Sequence, residues 1–476
     1  MRLNSKQIAE YTAATVLVEP LDASRLAMGI TWDSREVKPD FVYVAFSGEK
    51  VDGHDFVEAA LLAGAIVVLV MQRPSEQVCL LAREMGAAVL EVSSTATALT
   101  DLAAHWRKHL RATVIALTGS TGKTTTKNLV RDVLSTTFDT VATHANQNNE
   151  LGVPKTLLEA DPETECVVVE MGMRGSGQLR HLCEYVHPDV ALITNTGESH
   201  IELLGSKEAI AYAKAEVVEA LPDSLGIAIL NAADAHTDLI METTRARSRG
   251  LDVRFFDGSG EPKGHPCAFA TDISLDEEGK PSFLLHLPQG TFPCSLMLRG
   301  SHNVHNACAA AALAVVLGVS AEAIVEGIEH SLPEMGRQEI LTSSVGALIV
   351  NDAYNANPDS MRAALGMFAA MKVKGRRYLV LGDMGELGDY ARACHEGIGV
   401  FLAAMDIEHL FCVGQLATYI ARAAEEAGFP HDRITTTQIR GDVIGELETR
   451  LNAGDAVLVK ASHSMELEKI VKGLLN

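Results

Sequence analysis

Short runs of consecutive apolar residues recur along the chain, separated by stretches in which apolar positions return with helical spacing. Phe41 to Phe46 reads as a strand, and Asp55 to Ala63 as a helix leading into a buried strand, Ile66 to Val70. A helical stretch from Thr95 to Leu110 leads to Thr113-Val-Ile-Ala-Leu-Thr118, a buried strand running into a glycine loop. Cys166 to Glu170 and Val190 to Thr194 repeat that pattern, and strands alternating with helices predict a parallel, doubly wound α/β sheet. Between about 250 and 300 the short runs FLLHL and CSLMLRG, broken by DEEGKP and PQG, predict antiparallel pairing. An alanine-rich helix, Asn306 to Leu317, follows. A second α/β pattern starts near Met335, with strands Ala347 to Val350, Tyr378 to Leu381, His409 to Val413 and Ala456 to Val459. The expected domains are therefore 1–94, 95–333 and 334–476.

Composition changes this picture little. The 476 residues exceed one comfortable core, and 47% apolar with 21% charged residues suits a soluble globular protein. A formal charge of −22 argues against a nucleic-acid partner but leaves room for a local basic pocket. The apolar run Ala65 to Met71 is too short to span a bilayer, and the N-terminus has no secretory pattern, so no membrane partner and a cytoplasmic location are expected. The eight cysteines are scattered without a CxxC pair, which predicts buried thiols rather than disulfides or zinc.

The most specific chemistry lies in Gly119-Ser120-Thr121-Gly122-Lys123-Thr124-Thr125, directly after a strand and opening a helix. Such a loop wraps backbone N–H groups around phosphate, with Lys123 reaching the terminal phosphates and the Thr124 hydroxyl on Mg²⁺. Leu117 stands where the longer phosphate-loop pattern has its first glycine, so this is a shorter variant. Glu170 ends a strand and His200 follows another, placing both at the carboxyl edge where ligands bind. There they either hold a divalent metal or serve as helix-cap and solvated loop groups. Lys214 lies in Ala211-Tyr-Ala-Lys-Ala-Glu216, and its spacing predicts a surface lysine paired with Glu208 or Glu219.

In order along the whole chain stand TGSTGKTTT, Asn146-Gln-Asn-Asn149 with Gly152-Val-Pro154, Glu170-Met-Gly and Asn195-Thr-Gly-Glu-Ser-His200. Ala213-Lys214-Ala-Glu216, Gly300-Ser-His-Asn303 with Asn306, Gly336-Arg337 and Asp352-Ala-Tyr-Asn-Ala-Asn-Pro358 follow. This series resembles the Mur ligases. Within that family NDAYNANPDSM (351–361), LGDMGELG (381–388) and His395-Glu396-Gly-Ile-Gly399 are similar to the member that adds D-alanyl-D-alanine, and a DNPR-like motif of the member adding a third amino acid is missing.

The resemblance implies three domains: a small α/β UDP-binding domain, a central ATP-binding domain and a C-terminal Rossmann-like domain. It implies ATP and Mg²⁺ as cofactors, with UDP-N-acetylmuramoyl-tripeptide and D-alanyl-D-alanine as substrates. The γ-phosphate would pass to the tripeptide carboxylate, and the dipeptide amine would attack the acyl phosphate. By carry-over, Thr124 and Glu170 bind one metal, and His200 helps hold a second. Lys214 matches a lysine often carbamylated in the family. Asn303 and Asn306 resemble adenine contacts, Arg337 a phosphate contact and Asp352 a ribose contact. Ser34, Arg35 and Ser47 resemble UDP-side contacts, while Asn149, Asn355 and Asn357 fall near substrate. Arg337 and Asp352 must reach a nucleotide on the central domain, so domain closure is expected. A monomer is expected, since no apolar interface segment stands out. Ser462-His463 departs from the family's usual Ser-Arg, and Ser462 or Ser464 reads equally well as a helix cap. A folylpolyglutamate synthase-like ligase is opposed by the UDP-type N-terminal stretch and by NANPDSM. A P-loop ATPase switch would leave the second α/β pattern unexplained.

Overall fold

The computed structural model describes residues 1–48, 51–199 and 201–475. His200, an expected metal ligand, lies outside the described residues. Besides a two-stranded antiparallel pair, Leu3–Asn4 with Leu26–Ala27, three larger sheets follow one another along the chain. A five-stranded sheet uses strands between Thr15 and Glu91, a nine-stranded sheet those between Thr113 and Ser295, and a six-stranded sheet those between Glu339 and Lys460. All are mainly parallel, as the alternation of strands and helices predicts.

The central sheet is built from strands that are apolar on both faces. Along Thr113–Thr118, Val114 and Ala116 enter one core with Val167, Val169, Ala191 and Ile193. Ile115 and Leu117 enter the opposite core with Val168, Val190 and Leu192. This alternation splits each strand between two helical layers, which is why these runs show no polar face. One layer contains the helices Lys123–Leu134 and His302–Val316, where buried Ala307 to Ala312 permit close approach. The other contains Thr95–Arg107, Gly152–Glu159, Gln178–Val186 and Lys207–Glu219.

The strand order around the phosphate loop runs 227–231, 190–193, 113–118, 166–170, 140–142. After Thr113–Thr118 the chain first builds the side ending at 140–142, then crosses to 190–193. The reversal opens a crevice at the carboxyl ends of neighbouring strands, the usual ligand position in an open α/β sheet.

Two expectations need correction. Residues 250 to 300 are not wholly antiparallel: Asp252–Asp257 pairs parallel with Ile227–Asn231 and with the start of Ala268–Leu275. Only Ala268–Leu275, Pro281–Leu287 and Gly290–Ser295 form the antiparallel meander, and it extends the same sheet. The alanine-rich helix begins at His302, so Asn303 and Asn306 share its first turns.

The C-terminal domain is docked against the central one. Asn357 Nδ2 donates to Ser199 Oγ at 2.8 Å, Tyr390 Oη to the Gly205 carbonyl at 3.1 Å, and Lys372 Nζ to Glu277 at 2.6 Å. Among the described residues no helix is long and apolar enough to cross a membrane, no disulfide forms, and no cluster of three His, Cys, Asp or Glu side chains could hold a metal.

Candidate active site

The strand Thr113–Thr118 delivers the chain into Gly119–Gly122, and the helix Lys123–Leu134 starts immediately after. Gly122 caps that helix at φ +74°, and a side chain there would meet the Asn306 amide. At Gly119 a Cβ would collide with the Thr194 hydroxyl. The loop is braced by its neighbour: Asn195 Oδ1 accepts the Thr121 N–H at 3.0 Å, and Thr194 Oγ1 donates to the Thr121 carbonyl at 2.7 Å. Lys123 Nζ folds back onto the Gly119 carbonyl at 2.8 Å. Burial lowers its pKa, and Glu170 offsets part of that shift.

Glu170 ends its strand fully buried. Its Oε1 accepts the Thr124 hydroxyl at 3.2 Å and Asn148 Nδ2 at 2.7 Å. Its Oε2 is buried and has no hydrogen-bond partner among the described residues. An unpartnered buried carboxylate oxygen is costly in isolation and suits a bound cation. Of the asparagine quartet, Asn148 therefore reaches the carboxylate, while Asn149 is exposed and accepts the N–H groups of Leu151 and Gly152.

Lys214 departs from the surface reading. It is 1% exposed on Lys207–Glu219, and among the described residues no carboxylate lies within ion-pair distance. Burial, with Lys123 nearby, holds its pKa well below the ordinary lysine range. Ala211, Ala213 and Ala215 leave room for the close packing that buries it.

Asn306 links the helix to the loop: its Oδ1 accepts the Thr126 hydroxyl at 3.1 Å and its Nδ2 donates to Asn303 Oδ1 at 2.8 Å. The C-terminal domain faces the loop with Arg337, whose guanidinium stacks 4.3 Å above the Tyr354 ring. Asp352 ends Leu348–Asp352 and pairs with Lys460 Nζ at 2.7 Å, while Gln338 N–H reaches its other oxygen at 3.3 Å. Lys460 also donates to the Asn355 carbonyl at 2.8 Å. Both polar atoms of Asn357 are used within the protein, one capping Pro358–Ala370 and one on Ser199. Ser462 gives no side-chain cap; its hydroxyl accepts the Gly385 N–H and donates to the Ala356 carbonyl. His463 stands exposed, its ring 5.7 Å from Tyr354.

These groups line one cleft of about 1280 Å³ between the central and C-terminal domains. It gathers Ser120 to Thr125, Asn149, Glu170, Asn303, Asn306, Arg337, Asp352, Asn355 and Asn357. The cleft mixes both signs: Lys123 and Arg337 stand nearest the loop as candidate phosphate contacts, while Glu170, Asp234, Glu334 and Asp359 also line it. Lys214 lies outside the lining. Ser34, Arg35 and Ser47 are also outside it, on loops after the N-terminal strands Gly29–Thr31 and Phe41–Val44. There Arg35 forks onto Asp33 at 2.6 Å, and Ser47 reaches Asp52 at 3.3 Å. Asn148, Asn195 and Lys460 are given no role by the sequence. A lysine closing the apolar run AVLV, one strand from an aspartate closing LIVN, was the available signal for the last.

Family models match three consecutive stretches: the Mur ligase family catalytic domain over 27–107, the Mur ligase middle domain over 117–314, and the Mur ligase glutamate ligase domain over 336–463. A Bacillus subtilis protein named UDP-N-acetylmuramoyl-tripeptide–D-alanyl-D-alanine ligase is 34% identical over 473 residues, covering 99% of this chain and 98% of its own. A Synechocystis protein of the same name is 37% identical over 451 residues, covering 94% and 91%. The crystal structure of MurF from Acinetobacter baumannii superposes with a TM-score of 0.80 at 32% identity, covering 100% of this chain and 99% of that one. With its three domains, its phosphate loop and its interdomain cleft, the chain belongs to the Mur ligase family.

Proposed function

We propose that this protein is an ATP-dependent amide ligase that joins D-alanyl-D-alanine to the terminal carboxylate of UDP-N-acetylmuramoyl-tripeptide, forming ADP and phosphate. The observation that carries this reading is the full-length similarity to ligases named for that reaction. The cleft beside a phosphate loop, with Lys123 and Arg337 on its walls, supports it. The reaction belongs where ATP and a nucleotide-linked precursor coexist, in the cytoplasm.

A carboxylate is a poor electrophile. Transfer of the γ-phosphoryl group to one of its oxygens creates a leaving group, and the amine then attacks the carbonyl carbon. The tetrahedral intermediate expels phosphate, and the amine nitrogen gives up its protons to solvent or a neighbouring base. In this scheme the N–H groups of Gly122–Thr124 at the helix start and the Lys123 ammonium hold the nucleotide phosphates. Arg337, steadied on Tyr354, brings a second positive charge from the other domain. Asn303 and Asn306 border the base, Asp352 and Asn355 the ribose or dipeptide side, and Asn149 the tripeptide side. Ser34, Arg35 and Ser47 hold the uridine diphosphate on the N-terminal domain.

Thr124 and the free oxygen of Glu170 fit Mg²⁺, which when bound neutralises phosphate charge. His200 would complete a second site. The buried, depressed-pKa Lys214 suits carbamylation, because only a neutral amine adds carbon dioxide. The carbamate would turn its repulsion toward Lys123 into attraction.

The acyl-phosphate route has an isotopic signature. With ¹⁸O in the tripeptide's terminal carboxylate, one labelled oxygen should leave with each inorganic phosphate. Unlabelled phosphate accompanying normal product would overturn this route.

A further inference from the structure

Ser199 lies on the loop after Val190–Ile193 and plays no part in the chemistry above. Only 7% exposed, it donates its hydroxyl to the Ser120 carbonyl at 3.0 Å and accepts Asn357 Nδ2 from the C-terminal domain at 2.8 Å. The same Ser120 carbonyl lies 3.5 Å from Lys123 Nζ. Ser120 is tied to this loop twice more, through its N–H to the Asn195 carbonyl at 3.0 Å and its hydroxyl to the Gly197 carbonyl at 3.2 Å. On the other side, the Glu198 N–H donates to Asp359 Oδ2 at 3.2 Å, and the Asp359 carboxylate leaves no room for a side chain at Gly197. Asn357 is itself fixed, because its Oδ1 accepts the Ser360 N–H at 2.8 Å as the cap of Pro358–Ala370.

The hydrogen bonds therefore run in one direction, from Asn357 N–H to the Ser199 oxygen and from the Ser199 O–H to the Ser120 carbonyl. Donation into a hydroxyl oxygen polarises its own O–H, so the first bond strengthens the second. We propose that Ser199 is a positioning residue that couples docking of the C-terminal domain to the shape of the phosphate loop. It keeps the Ser120 carbonyl satisfied when Lys123 leaves it for the nucleotide phosphates, so the loop is held in its working shape only when Asn357 is seated. This rests on the assignment of Lys123 to phosphate given above.

The test uses the full-length protein with Asn357→Asp, Ser199→Ala and the double variant. Aspartate caps a helix as well as asparagine does, so Asn357→Asp removes the amide donor and keeps the cap. Each single variant should lower kcat by roughly ten- to a hundredfold, the scale of one buried polar group left unsatisfied. Affinity for a non-hydrolysable ATP analogue should stay near wild type, Tm should fall only by the few degrees that one unsatisfied buried group costs, and kcat of the double variant should fall no further than that of the worse single. Wild-type kcat in Asn357→Asp, or losses that multiply in the double variant, would overturn the coupling. If the wild type itself fails to ligate, the proposed activity falls, but the coupling is still read by amide hydrogen exchange at Ser120 to Gly122 with the analogue bound. Faster exchange in both single variants supports it, and unchanged exchange overturns it.

Discussion

Lys123→Ala is expected to reduce ligation by at least about a thousandfold while leaving the fold intact, since one preorganised donor aimed at developing charge is worth roughly 10²–10³ and phosphoryl transfer depends almost wholly on such groups. Lys123 is the side chain that the helix start places over the phosphate loop. Among the described residues its hydrogen bonds go to backbone carbonyls of its own loop, Gly119 and Ser120. Burial already disfavours its charge, so removing it costs little stability. Phosphate release measured beside circular dichroism and thermal unfolding separates the two effects. Turnover near wild type would remove the phosphate-loop assignment, and loss of the folded signal would show that the lysine is structural instead.

The second large effect concerns stability. Lys460→Ala should destabilise the C-terminal domain by about 3–5 kcal/mol, the usual cost of removing one partner from a buried ion pair. Lys460 is 2% exposed, and it holds both the Asp352 carboxylate and the Asn355 carbonyl. Truncation leaves the buried Asp352 carboxylate, at the end of a central strand, with only the Gln338 N–H, and takes the lysine donor from the Asn355 carbonyl. Removing both charges together, as Lys460→Met with Asp352→Asn, should restore much of the loss, because neither charge is then stranded. Urea unfolding followed by a probe in the C-terminal domain reads this directly. A double variant as unstable as Lys460→Ala would show that the lysine acts by packing alone.

Much of this architecture was legible in the chain. Runs such as TVIALT, CVVVE and VALIT have no polar face, and strands of that kind are buried on both sides of a parallel sheet. The phosphate loop was legible because its glycines, lysine and threonine sit in one contiguous stretch after such a run. Pairings between distant residues were not. Asp352 and Lys460 are 108 positions apart, and only the strand order makes them neighbours. Lys214 read as a surface lysine because Glu208 and Glu219 stand within two turns on the same helix, whereas packing turned it inward. Asn148 and Asn149 differ by a single residue, and only the turn geometry decides which one meets Glu170. The continuation of the central sheet through Asp252–Asp257 was hidden by charged residues, Asp252 and Arg254, on an otherwise apolar run.

The most direct test of the account is phosphate release from ATP with UDP-N-acetylmuramoyl-tripeptide fixed and the amine varied. Release that requires D-alanyl-D-alanine, with a product heavier by that dipeptide less water, is the predicted result. Release supported by a single amino acid would assign the chain a different ligase reaction, and release without any amine would contradict the ligase reading altogether.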